Sequence, residues 1–156
     1  MQERIFVDSG EALEATYHRL IPISQHMGIS VRDYNGSALT IAAPLANNIN
    51  HQMTAFGGSL FSLAALAGWG LMQLKLSEHD LDGNTVIAGG DVGYASPVAD
   101  ELVCTCPVPP EFDAFIDRLT ERGRAGIAMP SVFTADDGEA AMNFNGKYVV
   151  RLRRKD

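Results

Sequence analysis

The sequence predicts an α+β fold in which a curved antiparallel sheet wraps around one long central helix. Three observations carry that expectation. The stretch TAFGGSLFSLAALAGWGLM, Thr54 to Met72, has no ionisable side chain and no polar stripe, so as a helix it must be enclosed rather than laid on a surface. Segments of alternating apolar and polar residues flank it, two joined at Asn35-Gly36 and two at Asp137-Gly138, the turn chemistry of antiparallel hairpins. A sheet built from such strands has one apolar face, and the charge-free helix is the element able to cover it.

A first helix is expected from Asp8 to Glu11, a capping-box spacing, followed by Leu13, Tyr17, Leu20 and Ile21 at helical intervals until Pro22 stops it. Ile29 and Val31 begin a strand, and Leu39, Ile41 and Ala43 return on the other side of Asn35-Gly36. Pro44 opens a loop, APLANNINHQMT, that leads into the long helix at about Gly57 to Leu76. A third strand is expected over Thr85 to Ala95 and a fourth around Leu102 to Val108. Pro109-Pro110 then starts a short amphipathic helix with Phe112, Phe115, Ile116 and Leu119 on one face. Two last strands, Ala125 to Thr134 and Ala140 to Leu152, meet at Asp137-Gly138, with Pro130 admissible only at an edge or a bulge.

With 156 residues, 46% of them hydrophobic and 20% charged, the chain suits one domain over 1–156 with one core. A net charge of −7 argues against a nucleic acid as partner. The charge-free run is long enough, at about 20 residues, to span a bilayer. Its four glycines and two serines and its lack of basic and aromatic flanks argue against a membrane. The start, MQERIFVDSG, lacks the pattern of a secretory signal, so a cytoplasmic protein is expected. Cys104 and Cys106, the only cysteines, sit two apart on one face of a strand and read as buried thiols.

The chemistry is expected at Gly57-Gly58. Adjacent glycines at the start of a buried helix allow a ligand close to the backbone and leave unpaired N–H groups at the positive end of the helix dipole. A thioester carbonyl placed there would have its developing negative charge stabilised. The plainer reading is that both glycines only permit tight helix packing.

Asn50, the F-G-G at 56 to 58 and the helix LFSLAALAGWG resemble the hotdog-fold acyl-thioesterases of the phenylacetyl-CoA thioesterase type. More narrowly, NIN, TAFGGSLFSLAALAGWG and VGYASPV resemble the thioesterase-like family known as the YiiD C-terminal domain, over about Gly10 to Arg151. The resemblance implies a hotdog fold, an Asn50 that orients water or substrate, and a Gly57 amide that polarises the thioester. It also implies a homodimer or a dimer of dimers, with active sites between subunits. The broader family has His where this chain has Phe56, and a catalytic Asp or Glu where it has Ala65. No acid occurs between Gly36 and Glu78, so a general base must come from elsewhere.

Three replacements are available, Asp91 being the preferred one. Asp91 lies in the apolar run AGGDVGYASPV, where loss of water would make its carboxylate a stronger base, although strand alternation alone does not fix the side it faces. His51 adjoins Asn50, and an imidazole suits general-base work near neutral pH. Ser62 shares a helical face with Gly58 and Ala65 and either positions water or bonds back to the carbonyl four residues earlier.

On the substrate side, Phe56, Gly58, Ser59, Leu66, Trp69 and Tyr94 are expected to line the acyl path, and Gly89-Gly90 to mark a bulge or a close approach. Arg118, Arg122, Arg124, Arg151, Arg153, Arg154 and Lys155 concentrate positive charge that suits coenzyme A phosphates or an acidic carrier protein. The expected activity is hydrolysis of an acyl-CoA or acyl-carrier-protein thioester, with no metal and no cofactor. The alternative is a binding or regulatory protein that kept the groove without the chemistry.

Overall fold

The structure, a computed structural model, describes residues 3–154. Helix α1 (Gly10–Leu20) starts one residue later than the Asp8 spacing suggests. Ser9 has the extended backbone of an N-cap, and its hydroxyl accepts from the Ala12 amide at 3.1 Å. Pro22 ends α1 as expected and then opens a short helix absent from the sequence reading, α2 (Ile23–Met27), closed by Gly28 in the left-handed region at φ 73°. Strands β1 (Ser30–Tyr34) and β2 (Ala38–Ala43) form the expected hairpin. The Asn35 carboxamide oxygen accepts from the Ser37 and Ala38 amides at 2.8 and 2.9 Å, and Gly36 takes φ 87°.

A 3₁₀ turn, Leu45–Asn47, and a loop lead into α3 (Gly57–Glu78). Then follow β3 (Gly83–Tyr94), β4 (Leu102–Pro107), α4 (Phe112–Arg122), β5 (Arg124–Thr134) and β6 (Ala140–Leu152). All strands join one antiparallel sheet in the order β1-β2-β4-β5-β6-β3. Strand β3 thus leaves its sequence neighbour β4 and crosses to the far edge beside β6. Pro130 pairs with Asn145 of β6, while the ladder from β4 reaches only Val132 and Phe133, so no bond to β4 is lost at the proline.

Helix α3 packs along the inner face of this sheet, against β2, β3, β4, β5 and β6. By length and composition it could cross a membrane, but its apolar surface is taken up by Leu39, Ile41, Cys104, Cys106, Met129, Phe133, Met142, Phe144, Tyr148 and Val150 of the sheet, all buried in one core. Gly68 and Gly70 have a specific function in that packing. The Tyr148 hydroxyl donates to the Ala65 carbonyl at 2.8 Å, and the Tyr17 hydroxyl donates to the Leu66 carbonyl. A Cβ on Gly68 would lie 2.3 Å from the Tyr148 oxygen, and one on Gly70 1.9 Å from that of Tyr17. The glycines that dilute the helix's hydrophobicity are the gaps through which two buried tyrosines reach its backbone.

Enclosure is incomplete on one side. Gly58, Ser62, Ala65, Leu66 and Trp69 are half-buried and Phe61 is exposed, a stripe at helical spacing that the chain's own sheet leaves open. Strand β3 is open too: from Val86 to Tyr94 every residue is exposed, Val86, Ile87, Val92 and Tyr94 among them. Its register slips between Ile87 and Gly89, the bulge expected at Gly89-Gly90.

Candidate active site

The start of α3 is held by backbone bonds that leave its first amides free. Phe56, the N-cap, offers no side-chain cap. Its amide donates to the Asn48 carbonyl at 2.7 Å, and the Ala55 amide to the Val98 carbonyl at 2.8 Å. The Phe56 carbonyl accepts from Ser59 and Leu60 at 2.9 and 3.1 Å. Between these, the amides of Gly57 and Gly58 have no acceptor among the described residues, so two N–H groups stand at the positive end of a long helix. The exposed Phe56 ring lies over Gly58, 2.4 Å from where a Cβ would be.

Asn50 organises the loop that delivers this terminus. Its carboxamide oxygen accepts from the Gln52 and Thr54 amides at 2.8 and 3.1 Å, and its nitrogen donates to the Thr54 hydroxyl at 3.0 Å. The tight closure is accompanied by Met53 in the left-handed region at φ 63°. Asn48 anchors the loop from below, donating to the Met27 and Pro44 carbonyls at 2.9 and 2.8 Å. Thr54 was not singled out by sequence; the only signal for it is its place four residues after an Asx-turn asparagine.

A groove of about 340 Å³ opens onto Gly57, lined by Asn50, Gln52, Thr54, Ala55 and Leu60 on one wall and by Tyr94 to Val98 on the other. The Tyr94 hydroxyl donates to the Gly57 carbonyl at 2.8 Å and so closes the wall from β3 over the helix terminus. The segment Ser96 to Val98 supplies much of that wall, although in the sequence only Tyr94 of VGYASPV stood out.

The structure therefore brings together Asn50, Gly57 and Tyr94, with Gly58 and Ser59 in the same helical turn. It does not bring Asp91 to them. Val92 is opposite the buried Phe144 and Tyr94 opposite the buried Met142, whereas Asp91 is opposite the exposed Asn145. Alternation thus sends Asp91 to the outer face, away from α3, and it lines a separate concavity with Gly93, Pro130, Asn143 and Asn145. The desolvation expected for it is absent within the chain, where it is exposed.

Ser62 donates to the Gly58 carbonyl at 2.8 Å, the back-bond within the helix. His51 is exposed on the Asn50 loop. Leu66 and Trp69 pack partly against the core, Trp69 with its ring centroid 5.9 Å from Tyr17, and neither lines the groove. Gly90 gives room to the Phe144 ring, 2.8 Å from its would-be Cβ.

The basic residues separate into groups. Arg153 lies 3.5 Å from Asp82, and Arg118 donates to the Gly126 carbonyl at 3.2 Å. Arg124 and Arg151 are cross-strand neighbours, Arg122 and Arg154 are exposed, and Lys155 lies outside the described residues. Burial pushes the Tyr148 and Tyr17 hydroxyls up, so both stay protonated donors to α3. Among the described residues no three His, Cys, Asp or Glu side chains lie together as metal ligands.

A groove that ends on an uncapped helix terminus, inside an antiparallel sheet wrapped around that helix, defines a hotdog-fold protein of the thioesterase class. The chain belongs to the family described as "Putative thioesterase (yiiD_Cterm)", whose sequence profile matches residues 10–152. A solved protein of unknown function from Chlorobaculum tepidum TLS is 32% identical with a TM-score of 0.89, over 92% of this chain and 94% of that one. A Shewanella oneidensis protein, also described as a putative thioesterase, is 30% identical with a TM-score of 0.82, over 90% of this chain and 95% of its own. The E. coli PaaI protein from the phenylacetic acid degradation operon shares the fold alone, at 16% identity and a TM-score of 0.62 over 87% of this chain and 93% of that one.

Proposed function

We propose that this protein hydrolyses acyl thioesters carried by coenzyme A or an acyl carrier protein, in the cytoplasm and without a metal or redox cofactor. The observation that carries the reading is the uncapped start of α3 at the end of the groove. The thioester oxygen sits against the Gly57 and Gly58 amides, whose fixed dipoles favour the charge that develops on it. Water adds to the carbonyl carbon while His51, exposed on the Asn50 loop, takes its proton. Collapse of the oxyanion breaks the C–S bond, and the imidazolium returns the proton to the thiolate, giving a free acid and a thiol. Asp91 is the less favoured candidate, because its carboxylate leaves the outer face of the sheet, away from Gly57. Asn50 keeps the loop closed and sets the approach of water.

The working unit in this reading is a homodimer, or a dimer of dimers. Its supports are the open stripe on α3 and the unpaired apolar edge of β3, a surface that a second copy satisfies by antiparallel pairing.

A second reading has its own support: no carboxylate lines the groove at Gly57, and Ala65 stands where the broader family carries an acid. The protein would then bind acyl thioesters without cleaving them. A panel of acyl-CoA and acyl-carrier-protein thioesters, followed by release of free thiol, separates the two. Hydrolysis is expected, with a loss of about 10²-fold in kcat for His51→Gln and a change within about twofold for Asp91→Asn. Tight binding without turnover of any member favours the second reading. A large loss in Asp91→Asn returns the base to that residue.

A further inference from the structure

Arg151 is the register partner of Arg124 on one side and of Asn84 on the other. The three side chains therefore leave the same face of adjacent strands, about 4.8 Å apart from one strand to the next. That face is the outer one, because the neighbouring Val150 is fully buried in the core and alternation turns Arg151 away from it. Asn84, Arg124 and Arg151 are all exposed, and with Val86 and Val149 they line a concavity of about 250 Å³.

Two guanidinium groups directly opposite on a sheet repel each other. Neither forms an ion pair among the described residues, although the chain has 19 acidic residues against 12 basic ones. Asp82, near the same end of β3, is engaged by Arg153. Arg118 adds a third positive charge at the margin, held at 3.2 Å on the Gly126 carbonyl two pairs further along β5. The fold thus concentrates uncompensated cations around a hollow whose floor is apolar.

We propose that this hollow is a phosphate-binding subsite that takes the phosphorylated nucleotide end of a coenzyme A thioester. Paired planar guanidinium groups match phosphate oxygens, the Asn84 carboxamide offers further donors and an acceptor, and Val86 and Val149 form an apolar floor for the nucleoside. Within one chain the hollow lies at the opposite end of β3 from Tyr94 and Gly57. Antiparallel pairing of two β3 edges places the Asn84 end of one copy beside the Tyr94 end of the other. The arginine row is next to the last pair of the ladder, Gly83 with Leu152, so a ligand can lap over the rim from the outer face to the groove. Each hollow then serves the Gly57 site of the second copy. The identity of the ligand rests on the thioester reading, but its binding can be measured without turnover.

Calorimetric titration of the full-length protein with coenzyme A, and separately with pantetheine, which lacks the phosphates, tests the assignment. The double variant Arg124→Gln/Arg151→Gln is expected to bind coenzyme A at least about tenfold more weakly and to bind pantetheine as the wild type does. Arg124→Lys/Arg151→Lys recovers part of the loss. Kinetically, KM for acyl-CoA rises with kcat steady, and pantetheine thioesters are unaffected. The assignment is overturned if the wild type does not bind coenzyme A, if the glutamine pair binds it unchanged, or if pantetheine binding falls in parallel. It is also overturned if only acyl-carrier-protein substrates respond, which would make the surface a protein-docking one. Phosphate-dependent coenzyme A binding without hydrolysis of any thioester supports the subsite and refutes the hydrolase.

Discussion

Asn50 engages both ends of one carboxamide in holding a loop, and that loop places Gly57. Its oxygen serves the backbone of Gln52 and Thr54, and its nitrogen serves the Thr54 hydroxyl. Asn50→Ala should therefore lower thermal stability by about 1–2 kcal/mol and reduce kcat/KM by at least about tenfold. Asn50→Asp keeps the acceptor and loses only the donors. If Asn50 acts through the loop, the aspartate variant retains most of the activity; if its nitrogen acts on water or substrate directly, both variants fall together. Comparison of kcat/KM and melting temperature across the three proteins decides between them.

Helix α3 combines two requirements that pull its composition in one direction. It must be apolar to fill the sheet, and it must be narrow where Tyr17 and Tyr148 reach its carbonyls. Gly70→Ala would drive a methyl into the fully buried Tyr17 and its neighbour Leu13, where neither can yield. A loss of about 1–3 kcal/mol, read from urea unfolding, is expected. Gly57→Ala is the control on the same helix. Its Cβ would meet the Tyr94 ring at 3.5 Å, ordinary contact, so stability should change little while the narrowed approach to the amide lowers activity.

The molecule as a whole should be sensitive to alkali. Burial pushes the Cys106 thiol up to about 11 from an ordinary 9.0, and burial raises Cys104, Tyr17 and Tyr148 as well. Each of these groups keeps its proton in the folded state where the unfolded chain has begun to release it. The Cys106 contribution is thus fully present below about pH 9 and is lost as the pH rises through about 11, while the other three groups lose theirs at still higher pH. Urea midpoints should be flat near neutral pH and fall across that window, and Cys106→Ala should make the fall shallower. A midpoint that stays constant to pH 11 would refute this account.

By itself the sequence determined the elements and the axis of the fold. Apolar spacing, Asn35-Gly36, Asp137-Gly138 and the charge-free run after Thr54 are local signals, written in neighbouring residues, and each element they announce is present. The Gly57-Gly58 end and its Asn50 loop were legible for the same reason, because turn and helix-terminus chemistry is short-range. Other features depended on which strands become neighbours. That β3 crosses to the edge beside β6 is a property of pairing, and it alone sets Asp91 on the outer face, joins Tyr94 to Gly57, and stands Arg151 between Arg124 and Asn84. Strand alternation puts Asp91 and Tyr94 on opposite sides, but only a buried cross-strand neighbour such as Phe144 fixes which side is in. Residues far apart in the chain carry no sign of their register, so only the tertiary structure decided which of the predicted site residues share a face.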